Sequence, residues 1–181
     1  PHYLSWKMRT LSFKTRLIEL ASEINSEMPS YVVGKIASAL NDSARATRGS
    51  NILVLGIAYK RDVNDIRESP ALDIIRLLQQ AGAQVMYHDP LCPAIEDDGH
   101  TRIDGLPMHS VPLSVELLSS VDAVVIVTDH TMVDYAKVAE CASLVVDTRG
   151  VMRGIASNNR IVGLSGHGAT PEQTPLLAIG G

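Results

Sequence analysis

Residues 51–58, NILVLGIA, form a run of strand length that carries no polar side chain after Asn51. A strand with one face in water alternates polar and apolar side chains. A strand apolar at every position is covered on both faces, which is the signature of a buried parallel sheet. Parallel neighbours need long crossovers, usually helical, and the sequence supplies them. SPALDIIRLLQQAGA (69–83) has helical apolar spacing, with Ser69 placed to cap its start, Pro70 at its first position and Gly82 near its end. QVMYHDP (84–90) reads as a second strand ending in a turn. GLPMHSV (105–111) reads as a short third strand, PLSVELLSS (112–120) as a short helix and DAVVIVT (122–128) as a strand. TMVDYAKVAECA (131–142) reads as a helix, SLVVDT (143–148) as a strand and NRIVGLSG (159–166) as a short edge strand. The expected fold class is α/β: a Rossmann-like, doubly wound parallel sheet with helices on both faces.

A helical segment precedes the sheet. TRLIELASEINSEM places Leu17, Leu20, Ala21, Ile24 and Met28 on one stripe, and SYVVGKIASAL continues with Val32, Val33, Ile36, Ala37 and Leu40. Pro29 lies between them and marks either a bend or the start of a new helix. NDSARATRGS (41–50) reads as a helix end and linker. The expected organisation is a helical segment over 1–48, the α/β domain over 49–165 and a loosely ordered tail over 166–181. The start at Pro1 is read as a piece cut from a longer chain.

Composition excludes several function classes. The net charge of −4 offers no basic excess for nucleic acid. No apolar run approaches the roughly 20 residues that span a bilayer. Cys92 and Cys141 fit no metal spacing and make no disulfide scaffold, so both read as packed or incidental thiols in a reducing, cytoplasmic setting.

In doubly wound folds ligands bind outside the carboxyl ends of the strands. That rule nominates residues 56–67, 88–92, 128–131 and 147–153. The first connection, GIAYKRDVNDIRESP (56–70), lacks the G-x-G-x-x-G that lets a backbone approach a pyrophosphate. It carries Lys60, Arg61 and Arg67 beside Asp62, Asp65 and Glu68. Two readings stand level: the cations hold a phosphate at arm's length, or the charges pair with one another in a solvated loop. Arg149, after Asp147, could reach the same crevice, or the stretch could be turn chemistry alone. Asp129 or Thr131 reads as the cap of the next helix, which leaves His130 as a base the lesser reading. Asp89 reads as a turn cap. A phosphoacceptor receiver domain is rejected, because VLGIAY carries no acids where that fold clusters them.

Taken together, ILVLGIAYKRDVNDIRESPALDIIRLLQQAGAQVMYHDP, AVVIVTDH and LVVDTRG resemble the UDP-binding C-terminal domain of the UDP-glucose/GDP-mannose dehydrogenase family. The pattern K-x-x-x-x-D-x-R-E-S, from Lys60 to Ser69, is the most specific part of the match. PHYLSWKMR and TRLIELASEINSEMPSYVV are similar to the segment after that family's catalytic cysteine and to its central, subunit-pairing helix. Their wording is most like the branch that oxidises UDP-N-acetylhexosamines. The resemblance implies an NAD-dependent 6-dehydrogenase that oxidises a UDP-sugar to its uronic acid through a cysteine-bound intermediate. It implies that Tyr59, Lys60 and Arg149 contact the UDP-sugar, that Arg67 reaches the NAD, and that Glu68 and Ser69 cap the next helix. It also implies a homodimer through the N-terminal helix. No catalytic residue is expected in this chain: the family's nucleophilic cysteine and its G-x-G-x-x-G would lie upstream of Pro1, and neither cysteine present matches. The competing expectation is an assembly module with no nucleotide affinity of its own.

Overall fold

The computed structural model describes residues 16–99 and 101–165. The segment PHYLSWKMR and the tail from Gly166 lie outside them. Helix α1 (Arg16–Asp42) leads into strand β1 (Asn51–Leu55), helix α2 (Pro70–Gln80) and strand β2 (Gln84–His88). Two short strands follow, β3 (Ala94–Ile95) and β4 (Met108–His109), then helix α3 (Val115–Ser120) and strand β5 (Ala123–Ile126). Helix α4 (Tyr135–Cys141), strand β6 (Leu144–Asp147) and strand β7 (Arg160–Gly163) complete the described chain. Strands β2-β1-β5-β6-β7 form one sheet in that order, and all four pairings are parallel. The order reverses between β1 and β5, so the topological switch point lies at their carboxyl ends.

Alternate residues of each central strand serve opposite faces. Ile52, Val54, Val125 and Val146 pack with Ile36 and Leu40 of α1 and with Ile74 and Leu78 of α2. Leu53, Leu55, Val124, Ile126 and Val145 pack with Leu118 of α3 and with Val138 and Ala139 of α4. Two covered faces explain why the strands are apolar at every position. Each fully buried Leu, Ile or Val contributes about 1.5–3 kcal/mol.

Helix α1 passes through Pro29 without interruption, and Pro29 is itself buried. The apolar stripe expected along it divides by environment. Val32, Ile36, Ala39 and Leu40 are buried, whereas Leu17, Leu20 and Ile24 are 82%, 52% and 51% exposed. The carboxyl end of α1 is clasped from the sheet edge. Arg160 of β7 donates from Nη1 to the Ala39 carbonyl at 3.0 Å and pairs through Nη2 with Asp42. A cation there satisfies an orphan carbonyl and opposes the helix dipole. Tyr31 Oη donates to the Leu164 carbonyl at 2.9 Å, a second tie to the same edge.

Three local expectations need correction. Met108–His109 is not a third strand of the main sheet. It pairs antiparallel with Ala94–Ile95 in a separate ribbon, and β5 takes the place beside β1. Helix α4 is capped by neither Asp129 nor Thr131. It starts four residues later, where Asp134 accepts from the Lys137 N–H at 3.1 Å. Asp129 is unavailable because two arginines hold its carboxylate. At α2 only Ser69 caps, accepting from the Ala71 N–H at 3.3 Å, while Glu68 sits in the left-handed region at φ +56°. Among the described residues no helix is long and apolar enough to cross a membrane.

Candidate functional site

The four carboxyl-end connections meet in one polar cluster, and its centre is Asp89. This residue follows β2, is 3% exposed, and accepts five hydrogen bonds. Its Oδ2 takes the Ile57 and Ala58 N–H groups at 2.8 and 3.1 Å, at the end of β1. Its Oδ1 takes the Leu91 and Cys92 N–H groups at 2.8 and 3.0 Å, which makes its own turn. The fifth donor is His130 Nε2, at 3.1 Å from Oδ2. Burial pushes this carboxyl up, but the Leu91 and Ile57 N–H groups, His130 and the Cys92 N–H together outweigh it and hold it below the usual carboxylate value.

His130 lies after β5 and is 1% exposed. Its Nδ1 accepts the Asp62 N–H at 3.0 Å, which assigns the ring proton to Nε2, the atom that donates to Asp89. Both ring nitrogens are thus committed, and the base reading of His130 has no free nitrogen to rest on. In return, Asp62 Oδ1 accepts the Thr131 N–H at 2.9 Å. That bond comes first among the influences holding the Asp62 carboxyl below its usual value. Thr128 Oγ1 donates to the Ala58 carbonyl at 2.7 Å. The loop after β1 and the loop after β5 are therefore fastened to each other across the switch point.

Gly56 explains how they come so close. It has φ +77°, and a Cβ there would stand 2.7 Å from the Thr128 carbonyl carbon and 2.9 Å from the Thr128 Cβ, with the carbonyl oxygen closer still. The glycine at the end of β1 thus admits a neighbouring protein loop. In a dinucleotide-binding turn the glycine at this position makes the tight turn and the second glycine, two residues on, lets the backbone approach the pyrophosphate; here that second position is Ala58. The β1–α2 turn does not fit NAD, because Thr128 fills the space beside Gly56.

The loop charges divide into paired and unpaired. Asp129, 5% exposed, bridges two arginines: Arg149 Nε donates to its Oδ1 at 3.2 Å, and Arg61 Nη2 pairs with its Oδ2. Both arginine side chains remain more than half exposed, at 51% for Arg149 and 58% for Arg61. The main chain of Arg149 is set by Asp147, whose Oδ1 accepts the Arg149 and Gly150 N–H groups at 2.9 and 2.8 Å and whose Oδ2 accepts that of Met152 at 2.9 Å. Arg67 grips Asp65 with a two-pronged fork, Nε to Oδ1 at 2.9 Å and Nη2 to Oδ2 at 2.7 Å. That fork draws the Asp65 carboxyl down to about 2. The Tyr59 N–H donates to the Asp65 carbonyl at 2.7 Å and closes the loop. Lys60 alone among the loop's three cations has no carboxylate partner among the described residues. Its Nζ lies 5.3 Å from the centre of the Tyr59 ring, a cation–π distance.

The pairing reading holds for Arg61 and Arg67, which meet acids, and does not extend to Lys60. Arg61 and Arg149 converge on one carboxylate, and Lys60 is the chain neighbour of Arg61. A cavity of about 630 Å3 opens nearby, between Ser22 and Asn25 of α1 and Ser69 and Pro70 at the start of α2. Tyr59 lines it, but Lys60 and Arg149 do not. Sequence reasoning missed Asp89, Asp129 and His130 as the framework of the site. The available signal was polar residues, TDH, directly after a strand buried at every position.

No activated nucleophile is present among the described residues. Burial and the nearby Asp89 push the Cys92 thiol up to about 11, and Cys141, the last residue of α4, packs against the core. No group of three His, Cys, Asp or Glu side chains among the described residues could hold a metal ion.

The sequence matches the UDP-glucose/GDP-mannose dehydrogenase family, UDP binding domain, over residues 53–154. A UDP-glucose 6-dehydrogenase of Rickettsia bellii is 28% identical over 144 residues, which is 77% of this chain and 32% of that protein. A UDP-N-acetyl-D-mannosamine dehydrogenase of Methanococcus maripaludis is 32% identical over 127 residues, 69% of this chain and 26% of that protein. The solved UDP-glucose dehydrogenase of Pyrobaculum islandicum superposes with a TM-score of 0.65 at 27% identity, over 86% of this chain and 34% of that one. The alignments span at most about a third of these relatives, 32% and 26% of their lengths.

Proposed function

The chain belongs to the UDP-glucose/GDP-mannose dehydrogenase family, and from that premise we propose that it forms the UDP-sugar-holding part of an NAD-dependent nucleotide-sugar 6-dehydrogenase. The substrate class is a UDP-hexose or UDP-N-acetylhexosamine, oxidised at C6 to the uronic acid. The sheet unit over 49–165 is the nucleotide-binding domain and the segment over 1–48 is the pairing segment, with the enzyme working in the cytoplasm. Lys60 counters diphosphate charge, Tyr59 packs beside it, and Arg149 presents the outer face of its guanidinium to the same anion. Arg67 is proposed as an edge contact to NAD held by residues outside this sequence. Because its fork already holds Asp65, it would offer only Nη1 or exchange partners. When bound, NAD supplies the hydride acceptor. None of the residues described here is assigned a catalytic role. By itself, therefore, this stretch is expected to bind without turnover.

The observation that carries this reading is Lys60, a cation without a carboxylate partner at the switch-point edge, beside two arginines fixed on one buried acid. Calorimetric titration of the chain with UDP is the test. Lys60→Ala is expected to weaken UDP about tenfold, the loss of one charge-assisted contact of roughly 1.5 kcal/mol. Equal affinity in the two proteins would remove Lys60 from the site.

The exposed Leu17, Leu20 and Ile24 favour a second element, a homodimer formed through α1. Light scattering on the same samples tests it. A dimer with no affinity for UDP would favour an assembly module over the binding role.

A further inference from the structure

Lys60 and its neighbours sit on a loop, and loops need something to set their geometry. What faces this loop from the sheet is the imidazole of His130, inside a chain of contacts running from β2 to the loop. Asp89, at the end of β2, holds His130 Nε2 at 3.1 Å; His130 Nδ1 holds the Asp62 N–H at 3.0 Å; and Asp62 Oδ1 takes the Thr131 N–H at 2.9 Å. Asp62, two residues from Lys60, has φ +57°, a conformation that a free aspartate seldom adopts and that here is held by contacts on both its main chain and its side chain. Tyr135 Oη accepts the His130 N–H at 2.9 Å, which fixes the imidazole's own backbone from α4.

We propose that His130 is a positioning residue for the nucleotide site: anchored on Asp89, it latches the Asp62 main chain and so sets where Lys60 and Tyr59 stand for the UDP diphosphate. This rests on the reading of Lys60 as a phosphate contact. His130 itself touches no ligand. Its two nitrogens divide the task, with Nε2 the anchor and Nδ1 the latch.

That division makes the two nitrogens separable. The amide nitrogen of a glutamine reaches the place of Nε2 and keeps the donation to Asp89, but leaves the Asp62 N–H without an acceptor. The amide oxygen of an asparagine reaches the place of Nδ1 and keeps the latch, but abandons the anchor. His130→Gln is therefore expected to keep a thermal midpoint near that of the parent and to weaken UDP about tenfold. His130→Asn is expected to lose stability yet bind UDP within about threefold of the parent. A purely structural histidine would move both readouts together in both variants, and that result overturns the proposal.

A cycle with Lys60 completes the test. If His130 works through the loop, His130→Gln adds little in the Lys60→Ala background. Full additivity overturns the proposal. Wild-type affinity in His130→Gln beside a weakened Lys60→Ala overturns the latch and leaves the Lys60 reading standing. An unaffected Lys60→Ala overturns that reading and the latch with it. Should His130→Gln fail to fold, His130→Asn carries the test, since its amide oxygen can still take the Asp62 N–H. A folded His130→Asn protein whose UDP binding falls about tenfold or more overturns the latch.

Discussion

Replacing Gly56 by alanine is expected to destabilise the protein by on the order of 3–5 kcal/mol, read as a shift of the urea midpoint at constant slope. Two causes add. The position has φ +77°, where a Cβ is strained in any surroundings. The Cβ would also enter the Thr128 backbone, 2.7 Å from its carbonyl carbon, at a point where both chains are buried and pinned by the bond from Thr128 Oγ1 to the Ala58 carbonyl. Neither loop can retreat without breaking contacts to Asp89 or His130. Gly34 supplies the control. It lies within α1, and nothing stands within 4 Å of a Cβ built on it. Gly34→Ala is expected to stabilise by about 0.5–1 kcal/mol, the ordinary helical gain. A Gly56→Ala protein as stable as its parent would show that the loops do not meet as described.

The second large effect is expected at Asp89. Asp89→Ala strands four backbone N–H donors and the His130 Nε2–H in a buried place. Each unmet buried donor costs about 1–3 kcal/mol, less where water enters the space left behind. The total is expected to exceed roughly 4 kcal/mol, a large share of a typical domain's stability. Asp89→Asn keeps the shape but turns an NH2 toward donors on one side, and is expected to cost about 3 kcal/mol. The pH dependence identifies the cause. The folded carboxyl lies below its ordinary 3.8. Its contribution is therefore fully present above pH 3.8 and is lost as pH falls through the lower folded value. The gap between parent and Asp89→Asn should shrink on acidification below that point. Asp62 and Asp65 are also held low, but both are common to the two proteins and cancel in the difference. A gap constant from pH 7 down to acid unfolding would mean that the charge on Asp89 contributes nothing.

Much of the architecture was legible in the sequence because its causes are local. ILVL, residues 52–55, is apolar at every position since both faces of β1 are covered, and Ser69-Pro70 starts α2 by capping chemistry within three residues. Arg160–Gly163 read as an edge strand and forms one. The errors fall where the deciding partner is distant. Asp129 has the composition of a helix cap, but its carboxylate is claimed by Arg61 and by Arg149, neither of them a near neighbour in the chain. His130 meets Asp89 across 41 positions, and no periodicity signals that pairing. Met108–His109 is too short for its pattern to name a sheet, and the antiparallel partner at Ala94–Ile95 lies in a stretch without strand character. At the site, the charged loop was visible, but which of its cations would be left without an acid depended on those same distant partners.

The clasp at the end of α1 has a mechanical consequence. Arg160 and Tyr31 root the helix on the last strand edge, while Leu17, Leu20 and Ile24 in its earlier turns stand exposed. Ten residues of such a helix, Arg16 to Asn25, make a lever roughly 15 Å long. Whatever binds that arm meets a helix already formed, with no coil to order first, and any tilt imposed at its tip is delivered to β7 and through it to the sheet.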